Sequence, residues 1–271
     1  MPLNWIDPAN YPFNSFLLPE RFQIRLMMDS GGWRNKKGEW RRCMGIALNA
    51  NPAVKWYLEH RCPECAEIVE KIAESAPKKS DPARIREAEI YALASVEDFV
   101  IYTTPEVMAE ACDFLRGWHK ERLFQLVPLW GKTVLDVGIG SGRLAFAAAE
   151  RAAFVYASEP VSTLRAFLRE KIAKEGIQNL RVADGFITAL PYPDDLFDIV
   201  LCGHVLGDDW DAEIAEISRV CKDGGWLVQC PGGQKGKTDS PELLLRGWEA
   251  FPYAGSFGAE VVRYRKQVFK A

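Results

Sequence analysis

Apolar positions change their rhythm near residue 130. Beyond it, short apolar runs alternate with stretches of helical spacing. Strands are predicted at 133–138, 154–159, 180–184, 197–203 and 225–230, with helices at about 142–151, 161–175, 210–221 and 240–249. Alternation of this kind builds a parallel sheet covered by helices on both faces. The final segments, Phe251 to Gly258 and Val261 to Lys270, follow one another without a helix and predict a closing antiparallel hairpin. The expected fold class is α/β, with seven strands in all.

Ahead of residue 130 the pattern is mainly helical. Asn51 and Pro52 read as an N-cap and a first helical proline, and Val54, Tyr57 and Leu58 give that helix an apolar face ending near His60. Pro63 disfavours helical geometry at Cys62, so a second helix starts there, with Ile68, Val69, Ile72 and Ala73 on one side. Ala76 to Pro82 reads as a linker. A third helix runs from Ala83 to about Val100, and Thr104-Pro105-Glu106 opens a fourth whose stripe is Val107, Ala111, Phe114 and Trp118. Residues 1 to about 45 show no clean period; Phe22, Ile24, Leu26 and Met27 suit a helix or a strand, and Gly31-Gly32 breaks the run. The expected division is a helical region over 1–128, acting as a lid and substrate region, and a ligand-binding α/β domain over 129–271.

Composition adds exclusions. The 271 residues are 48% hydrophobic and 26% charged with a net charge of −3, so nothing marks the whole chain for nucleic acid or an anionic surface. The first residues have no basic segment before an apolar run, which predicts no secretory leader. No apolar run approaches the roughly 18 residues of a membrane span. Seven scattered cysteines fit reduced thiols in a cytoplasmic protein. Arg21, Arg25, Arg34, Lys36, Lys37, Arg41 and Arg42 make one locally basic stretch. It is either a solvated face or a site for an anionic or nucleic-acid partner.

The strongest chemical signal lies in Thr133 to Ala147. An apolar strand turns on Gly138, Gly140 and Gly142 and continues as a helix, the arrangement that brings backbone N–H groups to a ligand. A dinucleotide fingerprint would place its third glycine one position later, where Arg143 stands. Asp136, two residues before the first glycine, would repel a pyrophosphate and attract a cation. The turn therefore suits a ligand bearing both a carboxylate and positive charge, and S-adenosylmethionine is one. An NAD-linked oxidoreductase is disfavoured on the same grounds.

Four further pieces follow in order: Glu159 after the second strand, Asp184-Gly185-Phe186 after the third, Leu190 to Asp198 leading into the fourth, and Glu213 to Trp226 leading into the fifth. With the glycine turn, they make residues 129–271 resemble a Rossmann-like class I S-adenosylmethionine-dependent methyltransferase of the group acting on small molecules. The resemblance implies that Glu159 accepts hydrogen bonds from the ribose hydroxyls. It further implies that Asp184 meets the adenine amino group, with Gly185 and Phe186 beside the ring. Asp136, Gly138, Gly140, Gly142 and Cys202 complete the implied cofactor-binding set. The implied partner is a small-molecule acceptor; a nucleic-acid acceptor is disfavoured, and no membrane partner is expected. An RNA methyltransferase and a non-catalytic module that only holds the cofactor are the alternative readings.

His204, just past the fourth strand, is the candidate base, because an unperturbed pKa of roughly 6.5 suits proton transfer at neutral pH. Packing or substrate binding without proton transfer is the other reading of that residue. Cys62-Pro-Glu-Cys65 is half of a zinc pattern that Cys43 and His60 would have to complete. No second pair exists, and Cys112 and His119 lie roughly 10 Å apart along their helix, too far to share an ion. A redox pair and plain packing cysteines compete with that reading, and no metal site is assigned.

Overall fold

A computed structural model of the chain describes residues 8–30, 37–94, 105, 108, 118–207, 209–230, 240–254 and 260–270. The chain divides into two compact units, Met1–Thr103 and Thr104–Ala271.

The first unit is helical. After 3₁₀ turns at Pro8–Asn10 and Phe13–Leu17 come α1 (Arg21–Ser30), α2 (Lys37–Ala50), α3 (Pro52–Arg61), α4 (Ala66–Glu74) and α5 (Pro82–Leu93). Ile24, Met27 and Met28 are buried on α1, which settles that stretch as helix. Helix α2 was not evident from the sequence, although Trp40, Met44, Ala47 and Leu48 are spaced for one face and are all buried. The predicted second helix is preceded by a 3₁₀ turn, Pro63–Cys65, before α4 begins. Asp81 caps α5, its Oδ1 accepting the Arg84 N–H at 2.9 Å, with Pro82 at the first helical position. Asn51 precedes α3 as expected but does not cap it. Its amide nitrogen donates to the Ala47 carbonyl and to Glu89 Oε1, each at 2.9 Å, and so ties the end of α2 to α5. The basic stretch is partly neutralised: Arg21 pairs with Glu64 at 2.7 Å, and Arg42 lies 3.8 Å from Glu39. Arg34, Lys36, Gly31, Gly32 and Cys112 lie outside the described residues, as does most of the helix predicted from Thr104.

The second unit contains β1 (Thr133–Val137), β2 (Phe154–Ser158), β3 (Leu180–Ala183), β4 (Phe197–Cys202), β5 (Cys221–Gln229), β6 (Glu249–Ala254) and β7 (Glu260–Gln267). They form one sheet in the order β3-β2-β1-β4-β5-β7-β6. The first five strands are parallel, while β7 runs antiparallel to both neighbours. Helix α6 (Glu121–Phe124) precedes the sheet; α7 (Arg143–Ala149), α8 (Ser162–Lys174), α9 (Trp210–Val220) and α10 (Pro241–Leu245) connect its strands. Val134 and Val155 pack toward α7 and α8, with Leu144, Ala148, Leu168 and Ile172. Leu135, Val137 and Val200 pack the other way, with Ile217 and Val220 of α9. Helix α10 is shorter than the predicted 240–249, because Gly247 turns through φ +77° and Glu249 already begins β6. Leu123, Leu126, Val127 and Leu129 belong to the same core as β1, so this unit starts well before residue 129.

Gly45 marks the tightest approach in the helical unit. A Cβ on this α2 residue would run into the Ile72 carbonyl oxygen and lie 2.6 Å from the Ala76 Cβ. Alanine normally favours a helix over glycine by about 1 kcal/mol, but here the clash is with backbone that has no room to move. Gly45→Ala is expected to lower unfolding stability by about 1–3 kcal/mol, the usual cost of overpacking. Urea or thermal unfolding followed by circular dichroism measures it, and an unchanged or raised midpoint would refute the close approach.

Candidate functional site

The sheet order reverses at β1. The chain winds outward through β2 to β3, then returns to lay β4 on the opposite edge of β1. A reversal of this kind leaves a crevice beyond the carboxyl ends of the two strands flanking it. Residues 138–142 leave β1 at that point. Gly138, Gly140 and Gly142 take φ of +64°, +57° and +101°, a region that costs other residues strain. A Cβ at Gly138 would also strike Val205, and one at Gly142 would lie 2.5 Å from the Phe146 ring. The turn is fixed from below by the Ser158 carbonyl, which accepts the N–H groups of Gly138 at 2.9 Å and Ile139 at 3.1 Å.

Glu159 follows β2 and is only 4% exposed. Its Oε2 accepts the Gly140 N–H at 2.9 Å and its Oε1 accepts the Val161 N–H at 3.0 Å. One carboxylate thus joins the glycine turn to the start of the segment leading into α8. Burial pushes its pKa up to about 7, against the stabilising pull of those two N–H groups and of Arg165.

Asp136 lies on β1, 1% exposed, and its Oδ2 is buried with no hydrogen-bond partner among the described residues. Burial raises its pKa to about 7; the Arg143 guanidinium and the Ala145 amide oppose the rise, and the Glu159 charge adds to it. An unsatisfied buried oxygen of this kind costs about 1–3 kcal/mol, a cost that a bound cation or donor would remove.

Arg143, noted in the sequence only as a departure from the dinucleotide pattern, turns out to belong to the site. Its Nη2 donates to the Cys230 carbonyl, just past β5, at 2.9 Å, and its Cζ lies 5.0 Å from the Trp118 ring centroid. Its Nη1 is buried and has no partner among the described residues. The available signal was a cation directly after the third glycine, seven positions from a buried acid.

His204 is brought to the same strand ends. It takes φ +63°, a left-handed conformation that histidine tolerates better than most residues. The loop behind it is pinned by buried Glu213, which accepts the N–H groups of Gly207 at 2.8 Å and Asp209 at 3.1 Å. Protein atoms crowding the ring, and after them the Arg143 guanidinium, push its pKa down to about 4, although the residue keeps surface open to solvent. The ordinary value assumed from the sequence does not hold, and the imidazole is neutral at physiological pH. Asp209 caps α9, its Oδ1 accepting the Ala212 N–H at 3.1 Å; Asp208 lies outside the described residues.

The remaining expected residues are arranged less tightly. Cys202 ends β4 opposite Val137. Its side chain is buried in the core toward α9, and burial raises its thiol pKa well above the usual value. It offers the crevice only backbone. Asp184 directly follows β3 and is exposed, with one oxygen 3.2 Å from Arg165, which also donates to the Glu159 carbonyl at 2.7 Å. A Cβ on Gly185 would lie 2.7 Å from Pro191 Cδ and 3.3 Å from Ser158 Oγ. Half-buried Phe186 pairs with Ala189 in a short antiparallel bridge. Cys62 and Cys65 are buried in the helical unit's core, where their mutual hydrogen bond, and after it burial, raise the Cys62 pKa. His60 stacks on Trp56, with ring centroids 4.2 Å apart. Among the described residues no three His, Cys, Asp or Glu side chains are grouped to hold a metal ion.

This geometry has relatives. A family described as "Methyltransferase domain" matches residues 134–225. An uncharacterised methyltransferase of Bacillus subtilis is 34% identical over 35% of this chain and 39% of its own length. A demethylmenaquinone methyltransferase of Shouchella clausii is 31% identical over 42% of this chain and 50% of its own length. The chain thus spans half or less of the length of these relatives. In fold, it is similar to the crystal structure of an S-adenosylmethionine-dependent methyltransferase from Aquifex aeolicus, with a TM-score of 0.50 and 20% identity. That likeness covers 60% of this chain and 98% of the other. Residues 134–225 are thus similar to a methyltransferase domain, and the α/β unit shares its fold with that solved structure.

Proposed function

We propose that this protein transfers a methyl group from S-adenosylmethionine to a small-molecule acceptor. The observation that carries the reading is the pair of buried carboxylates, Asp136 and Glu159, on either side of a glycine-rich turn at the sheet's reversal point. The residues fit the cofactor. Asp136 Oδ2, buried without a partner, suits the cofactor's positively charged end, and Glu159 keeps unused lone pairs for the ribose hydroxyls. Gly138, Gly140 and Gly142 allow the turn its left-handed backbone without side chains driven into Val205 and Phe146. Asp184, Gly185 and Phe186 extend the same edge toward β3 for the adenine. When bound, S-adenosylmethionine supplies a methyl group already activated by its sulfonium, so the protein's main task is to hold the acceptor in line with it. His204, neutral at pH 7, is able to accept a hydrogen bond or a proton from an acceptor at the strand ends, but with its pKa near 4 it is a weak base.

Isothermal titration with S-adenosylmethionine and S-adenosylhomocysteine is expected to show binding of both; no binding of either at high micromolar concentration would sink the proposal. Glu159→Ala should weaken both by about 10- to 100-fold, through hydrogen bonds to a charged group worth about 1.5–3 kcal/mol and loosening of the Gly140 turn. Unchanged affinity would show that the ribose lies elsewhere.

A pH dependence follows from the two raised pKa values. Each carboxyl is protonated below about pH 7 in the free protein, and a cation or donor bound against it favours the charged form. Binding therefore expels protons, and affinity for S-adenosylmethionine should fall as pH drops from about 8 to about 6, by up to about tenfold per unit for each proton released. Asp136→Asn should weaken binding and flatten part of that slope. Calorimetry in buffers of different ionisation enthalpy counts the protons, and an affinity that stays flat over the range would contradict the assignment.

A further inference from the structure

The arginines of the α/β unit follow a pattern with three exceptions. Those drawn partly under the surface are mostly paired with carboxylates: Arg165 with Asp184, Arg219 with Glu216, Arg246 with Asp211 and Arg265 with Glu249. Arg122, Arg143 and Arg263 are also drawn in, yet none of them is ion-paired among the described residues. These three converge. Arg122 and Arg263 hold their Cζ atoms 3.9 Å and 4.6 Å from the Tyr253 ring centroid. Arg122 donates to the Ala254 carbonyl at 2.8 Å, and Arg263 donates to the Arg122 carbonyl. Arg143 is fixed at Cys230. The electrostatic influence of Arg143 and Arg263 meets at the Cys230 thiol, and that of all three at the Tyr253 hydroxyl.

Two donors in this group have nothing to bond. Arg143 Nη1 and Arg263 Nε are buried without partners among the described residues, and Asp136, the acid whose charge Arg143 feels, is not hydrogen-bonded to it. Buried cations without counter-charge are destabilising. Two orphaned guanidinium donors beside a third guanidinium make a receptor for planar or tetrahedral oxyanions. The cluster is also displaced from the carboxylates. Asp136, Glu159 and Asp184 lie on β1 or just past β2 and β3, whereas Arg143 is anchored past β5 and Arg263 lies on β7, across the reversal point.

We propose that Arg143, Arg263 and Arg122 form the acceptor-side anion pocket of this protein, selecting a methyl acceptor that carries a carboxylate or a phosphate. The inference rests on the methyltransferase reading and narrows its acceptor class. Arg143, whose charge reaches His204, holds the anionic end of the acceptor while leaving the cofactor's ribose and adenine to the opposite side.

The test uses the full chain saturated with S-adenosylhomocysteine, titrated by calorimetry with benzoate, with its neutral counterpart benzamide and with inorganic phosphate. Benzoate or phosphate is expected to bind, with benzamide at least about tenfold weaker than benzoate. Arg143→Gln and Arg263→Gln should each weaken the anion at least about tenfold, and Arg263→Gln should keep S-adenosylhomocysteine affinity within about twofold, which also reports that this variant is folded. Should Arg263→Gln fail to fold, Arg122→Gln carries the same arm. Arg143→Lys, which keeps the charge and loses the fork, should recover only part of the loss. The proposal is overturned if neither anion binds the loaded protein, or if the variants bind anions as the parent does. It is overturned equally if Arg143→Gln weakens S-adenosylhomocysteine but not 5′-methylthioadenosine, which lacks the carboxylate; that result would give Arg143 to the cofactor. Failure of the parent chain to bind S-adenosylhomocysteine at all falls on the methyltransferase reading instead, and this inference falls with it.

Discussion

The site depends on what the Glu159 carboxylate holds. Its two oxygens take one N–H from the glycine turn after β1 and one from the segment after β2. A turn with three glycines is costly to order, since glycine loses more conformational entropy on ordering than any other residue. The Gly140 bond to the Glu159 carboxylate, with the Ser158 carbonyl beneath Gly138 and Ile139, fixes it by the protein's own groups rather than by ligand. That fixing requires a carboxylate in a desolvated position, and the rise of its pKa to about 7 is the physical consequence. Asp136, close enough for the two charges to oppose each other, is raised for the same reason. Both groups sit at the edge of ionisation, and a positively charged ligand favours the ionised form of each.

How much of this was legible depended on the range of the interactions involved. The strands of the sheet were readable because a parallel strand covered on both faces is a short continuous apolar run, and Val134-Leu135, Val155 and Ile199-Val200-Leu201 are such runs. Boundaries were less so. Helix α10 stops where Gly247 adopts a left-handed turn, and the local periodicity of Leu243 to Trp248 did not anticipate it. Helix α2 hid among aromatic and basic residues, although Trp40, Cys43, Met44, Ile46, Ala47 and Leu48 are all buried along it. Asn51 stands where a cap belongs, yet its amide bonds Glu89, a partner 38 positions away that no local rule supplies.

The site shows the same division. Asp136, Glu159 and the glycines of the candidate site could be singled out because they sit within a few residues of strand ends. Arg143 is adjacent to the glycines, but its significance lies in Cys230, Trp118 and the absence of a counter-ion, none of which is near it in sequence. Arg122 and Arg263 are 141 positions apart and meet only because β7 folds back against β5 beside the segment that precedes the sheet. His204 was correctly placed at a strand end, but its proton affinity was not readable, since the crowding and the guanidinium that lower it come from other elements.

These features give the strand ends an electrical direction. On the β1 and β2 side stand two buried carboxylates with raised pKa values; toward β5 and β7 stand guanidiniums that no carboxylate pairs among the described residues. Each half is unfavourable alone, because an uncompensated buried charge keeps its desolvation cost. They do not neutralise each other, since Asp136 Oδ2 and Arg143 Nη1 both remain without partners. Two unpaired charges of opposite sign, held apart by rigid strand ends, favour ligands that present a cation to one side and an anion to the other. A proposed cofactor with a positively charged end and an acceptor with an oxyanion meet that requirement together, so each would lower the cost that the other leaves, and binding of the pair would be ordered by charge before any contact of shape decides it.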